Sequence, residues 1–158
     1  FYTINYFNRF RNYLKDTAQQ VAYTSREEML HALVGIKLVN VIREEHPELF
    51  DDELVERVTS SCAKAFEAEA NIIEWSLNEY ESKHLSADIL KNFIKNRLND
   101  SLKQIGFDPV FDDVNESQLE QTVWFDEDVL GNTSTDFFYK RPTEYSKKDK
   151  SYDEDDLF

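Results

Sequence analysis

The sequence predicts an all-α bundle that gives way, after Phe107, to an extended C-terminal arm and a charged tail. Three observations carry this. Only three glycines and three prolines interrupt 158 residues, too few for the frequent turns of a β-sandwich. Two stretches repeat apolar side chains at helical spacing over about 28 residues each, far above the mean α-helix of roughly 11–12, and helices of that length belong to large bundles. Past Phe107 no period is sustained.

The elements follow in order. Residues 1–15 carry Phe1, Tyr2, Ile4, Tyr6, Phe7, Phe10, Tyr13 and Leu14, a helix aromatic on several sides and therefore one that sits among others. No capping residue precedes Phe1 and the only methionine is Met29, so the expectation is a fragment, or one half of something larger. Asp16-Thr17 marks a break and an N-cap. Helix two, Ala18 to Glu45, follows the stripe Val21, Met29, Ala32, Ile36, Val39 and Ile42, and Pro47 ends it. Asp51 or Asp52 caps helix three, Glu53 to Tyr80, with Val55, Val58, Cys62, Ala65, Phe66, Ile72, Ile73 and Ser76 on one face. Ser86 caps helix four, and Gly106 is its C′ residue. Trp124, Phe125, Phe137, Phe138 and Tyr145 are spaced too irregularly for a helix. The chain thus divides into a bundle segment (1–106), an arm with apolar anchors (107–140) and a tail (141–158).

Composition limits the function. Thirty-two acids against 18 Lys and Arg leave a net charge of −14, which excludes binding to nucleic acid by general phosphate attraction and disfavours an anionic membrane surface. The apolar runs are too short for a transmembrane helix, and the start lacks the apolar core of a signal peptide. A lone Cys62 fits a reducing cytoplasm and a buried structural thiol.

The main chemical anomaly lies on helix two. Glu28 and His31 are three residues apart and point the same way. The face they share runs Val21, Thr24, Glu28, His31, Gly35, Leu38, Ile42, so a carboxylate and an imidazole interrupt an apolar stripe. If buried, both need partners, because an unpaired buried charge costs several kcal/mol. A metal ion is one such partner, since Glu-x-x-His is the ligand spacing of di-metal carboxylate bundles. Because Glu-x-x-His is a short pattern, the spacing by itself favours the more ordinary readings, a hydrogen-bonded Glu–His pair or a face that is not buried at all. A second Glu-x-x-His, Glu81 and His84, sits in a solvated helix end and is set aside. Glu69 reads as a hydrogen-bonded carboxylate between helices, and His46, beside Pro47, as exposed. The terminal stretch DFFYKRPTEYSKKDKSYDEDDLF is either a solubilising tail or a tether whose apolar Leu157-Phe158 end docks on a partner.

Together these stretches resemble the C-terminal half of the small, radical-generating subunit of class I ribonucleotide reductase. SREEMLHALVGIKLVNVIREEHPELF is similar to its second metal-ligand helix, and DFFYKRPTEYSKK to the start of its C-terminal arm. EWSLNE and KNRLNDSLKQIGFDPVF carry the resemblance through the rest of the chain. It implies a ferritin-like bundle with a dinuclear iron or manganese site shared with an N-terminal half that supplies the remaining ligands. It implies Glu28 and His31 as metal ligands. Glu27 falls where the family usually has Asp, behind the ligands and beside the radical-transfer path. Tyr145 matches the tail tyrosine that relays the radical, and Tyr152 to Phe158, with Leu157, match the peptide that docks on the large catalytic subunit. A second small subunit completes a dimer. The alternatives are a metal-free helical interaction protein with a docking peptide, and a ferritin-like di-metal oxidase.

Overall fold

A computed structural model describes residues 1–131. Six α-helices follow one another: α1 (Tyr2–Arg11), α2 (Lys15–Glu45), α3 (Asp52–Leu77), α4 (Ala87–Gln104), α5 (Glu116–Glu120) and α6 (Val123–Gly131). A 3₁₀ turn at Pro47–Leu49 links α2 to α3. The described residues contain no strand, only an isolated bridge between Ser82 and Leu85.

The caps show how far local chemistry sets the boundaries. The Asp51 carboxylate accepts from the Leu54 N–H at 2.9 Å, and the Ser86 hydroxyl accepts from the Ile89 N–H at 3.2 Å, each satisfying a donor that the first turn leaves free. Gly106 has φ +77°, the left-handed geometry that favours glycine past a helix end. The α1–α2 junction differs from expectation. It lies at Asn12 and Leu14, both left-handed at φ 58° and 57°, rather than at Asp16-Thr17. The Asn12 and Tyr13 N–H groups donate back to Asn8 and Phe7, closing α1, and α2 starts at Lys15 without a side-chain cap.

The core lies between α3 and α4. Ile73 and Leu77 of α3 meet Leu90 and Phe93 of α4, with Tyr2 and Tyr6 of α1 and Trp124 of α6 closing one end. A second cluster around Cys62, Leu102 and Phe107 closes the other. Trp124 and Phe125 are a correction to the sequence reading, because they belong to a helix. Both rings pack against Tyr2, Trp124 edge-on and Phe125 tilted, with centroids at 4.9 and 5.2 Å, and one short helix presents both to α1.

Helix α2 is fastened at its ends and bare in the middle. Ala18 and Val21 are buried near its start. Near its finish, Asn40 donates to the Gln104 carbonyl at 3.0 Å and Arg43 to that of Ile105 at 2.7 Å, so α2 side chains satisfy carbonyls at the end of α4. The Arg43 guanidinium lies 4.3 Å from the Phe50 ring centroid and 4.7 Å from that of Phe107. Between these anchors Leu30, Leu33, Val34 and Leu38 are exposed.

Candidate metal centre

The candidate ligands occupy the bare middle of α2. The His31 imidazole Nδ1 lies 3.5 Å from the Glu28 carboxylate, as a three-residue step on a helix requires. Both side chains are open to solvent, His31 at 75% and Glu28 at 59% of full exposure. This differs from the expected placement in the core. The reason is that no other element of the described chain covers this side of α2. Glu27 is exposed too.

The surroundings explain what such a face needs. The predicted stripe is buried at Val21 and partly covered at Met29, Ile36, Val39 and Ile42, but its Ala32 is exposed, and Leu30, Val34 and Leu38 form a second apolar stripe turned outward. A helix apolar on opposite sides belongs inside a bundle. His31 lies about two turns from Leu38 on the same side of the helix, whereas Leu30 and Val34 lie further round, away from Glu28.

Carboxylate oxygen and neutral imidazole nitrogen are the donor types of a bundle-type iron or manganese site, and the pair fits as two ligands of one ion. It does not make a complete site. Among the described residues no three His, Cys, Asp or Glu side chains converge on one point.

The other sequence candidates are not brought to this place. His84 stacks on Phe10 with centroids 4.7 Å apart, and its Nδ1 lies 3.2 Å from the Gln121 carbonyl, so this histidine serves packing, while Glu81 is exposed. Glu69 is exposed, which corrects its reading as a carboxylate held between helices. His46 is exposed as expected. Cys62 is buried, and burial pushes its thiol above the usual range, away from nucleophilic use. Tyr145, Tyr152, Leu157 and Phe158 lie outside the described residues.

Sequence reasoning missed Asn92 and Asn99, which are buried on α4 and pair with the backbone of the arm. The available signal was two asparagines seven residues apart on an apolar helix face.

The described residues thus form an all-α segment with a Glu-x-x-His pair at the middle of α2. The model of the family described as "Ribonucleotide reductase, small chain" matches residues 1–128, and the chain belongs to that family. It is 32% identical over 120 residues to a ribonucleoside-diphosphate reductase subunit beta of Aquifex aeolicus, covering 74% of this chain and 16% of that protein. It is 29% identical over 135 residues to the subunit of the same name from Chlamydia pneumoniae, covering 85% and 37%. A probable ribonucleoside-diphosphate reductase small subunit of Invertebrate iridescent virus 3 is 26% identical over 136 residues, covering 85% and 35%. The chain therefore spans little more than a third, at most, of these relatives.

Proposed function

We propose that this chain is the C-terminal portion of the small subunit of a cytoplasmic ribonucleoside-diphosphate reductase, which supplies deoxyribonucleotides for DNA replication. The observation that carries the proposal is the Glu28–His31 pair on the uncovered face of α2, within the stretch that matches the small-chain family. The N-terminal half of the subunit covers that face, burying Leu30, Val34 and Leu38, and brings the remaining ligands. Glu28 binds through its carboxylate and His31 through a neutral imidazole nitrogen. A bound dinuclear iron or manganese centre supplies one-electron oxidising power. Glu27, one residue before the ligand pair, holds negative charge beside the path. Tyr145 passes the oxidising equivalent on by giving up an electron and its phenolic Oη proton, then regaining both. The last residues, Tyr152 to Phe158, dock on the large subunit, where ribonucleotides are reduced. A second small subunit completes the assembly.

Tail variants test this in the enzyme assembled with the N-terminal half and the large subunit. Tyr145→Phe removes the exchangeable proton and keeps the ring. It should abolish nucleotide reduction while metal loading and subunit association persist. Deleting Leu157 and Phe158 should do the reverse. Each side chain contributes roughly 1.5–3 kcal/mol when fully buried, so losing both weakens association about a hundredfold or more, at 1.4 kcal/mol per tenfold. Normal turnover in the Tyr145→Phe enzyme would remove the relay and leave the tail as a tether.

A further inference from the structure

The segment after α4 folds back along that helix, and two buried asparagines hold it there. The Asn99 side-chain oxygen accepts from the Val110 and Phe111 N–H groups at 3.0 and 3.1 Å, while its amide donates to the Phe111 carbonyl at 2.7 Å. Seven residues earlier, Asn92 accepts from the Asn115 N–H at 2.8 Å and donates to the Asn115 carbonyl at 2.9 Å. Each amide thus engages both the N–H and the C=O of an arm residue, as a neighbouring strand would. Two helical turns, about 10.5 Å, separate the asparagines, and four arm residues at up to about 3.4 Å each bridge that spacing.

Val110 and Phe111 are partly buried against the cluster of Cys62, Leu102 and Phe107, and between them and α6 the arm is held by little else. Its buried side chains lie at its two ends, Phe107 and the pair Thr122 and Trp124. Helix α5 buries no residue, and a cleft of about 220 Å³ is lined by residues of α4, α5 and the start of α6. Phe111 packs on Phe66, and Lys95–Asp113 and Arg97–Asp126 are ion pairs with solvent access, which add little. Beyond the strap, α6 clamps α1. The Tyr2 hydroxyl accepts from the Trp124 indole N–H at 3.2 Å and donates to the His84 carbonyl at 2.8 Å, and Arg9 pairs with Asp128.

We infer that Asn92 and Asn99 make α4 a rail reading only backbone, and that the arm is a releasable strap on it which, through α6, fixes α1 against the α3–α4 layer. The asparagines are positioning residues. They act through the arm on α1 and hence on where α2 begins. The strap opens as a unit while α3 and α4 stay folded, as local cooperative units do.

Native-state hydrogen exchange on the full chain tests this without any variant. The amides of Val110, Phe111 and Asn115 should exchange as one set and at least tenfold faster than those of central α3 and α4. Asn99→Leu should accelerate that set a further tenfold or more. Asn99→Asp keeps the oxygen that accepts both N–H groups and should restore most of the protection. In a Trp75→Phe background Trp124 is the only tryptophan, and its emission should shift to the red in Asn99→Leu with far-UV helicity retained. Arm amides that exchange only with global unfolding in the unaltered chain would overturn the inference, whether or not the variants fold. So would unchanged arm protection in Asn99→Leu.

Discussion

Tyr2 joins three elements through one hydroxyl. Burial pushes its phenol up to about 12 from an ordinary 10.0, with the Trp124 hydrogen bond acting against that rise. The sign of its effect on stability follows. Below pH 10 the folded and unfolded chains both carry the proton. Between pH 10 and about 12 the unfolded chain ionises first, so this residue's contribution to stability declines and then levels off. Tyr2→Phe should lose that dependence. At neutral pH it should also cost about 1–3 kcal/mol, because the Trp124 N–H loses its acceptor and the His84 carbonyl a donor. Urea denaturation of both proteins at pH 7 and through pH 10–12 checks both parts. At this scale the helix caps were legible in the sequence, because Asp51 and Ser86 act on amides three residues away. Asn92 and Asn99 were not, because their partners are the backbone of residues 11 to 23 positions away, which carries no side-chain signature.

Elements show the same division. Helices α2, α3 and α4 were legible from apolar period and from their stops. The α1–α2 junction was not, because two left-handed residues make the break where capping chemistry favoured Asp16-Thr17. Helix α6 escaped notice because nine residues are too few to establish a period, and its tertiary contacts with Tyr2 select the helical form. Gly106 makes the turn that sends the arm back along α4. A Cβ there would lie 3.0 Å from the Arg43 guanidinium carbon, and φ +77° strains any other residue. Gly106→Ala should destabilise the chain by about 1–2 kcal/mol, the cost of a left-handed non-glycine residue. The midpoint of urea unfolding reads this directly, and an unchanged midpoint would mean that the turn relaxes freely.

For the molecule as a whole, the two apolar stripes of α2 matter most. One was legible as a core stripe and is partly covered. The other, Leu30, Val34 and Leu38, faces solvent, and of it Leu38 lies on the same side of the helix as His31. Sequence spacing placed Glu28 and His31 together, but the presence of a cover depends on atoms beyond residues 1–131. The account rests on these two residues completing a metal centre with the rest of the small subunit. Metal analysis of the subunit assembled from this chain and its N-terminal half, unaltered and as His31→Ala, is the most direct test. His31 is exposed on the chain itself, so its removal should change stability by no more than about 0.5 kcal/mol, the small range of surface substitutions. Iron or manganese bound per assembled subunit should fall clearly in His31→Ala while circular dichroism stays the same. Equal metal content in the two proteins would contradict the assignment.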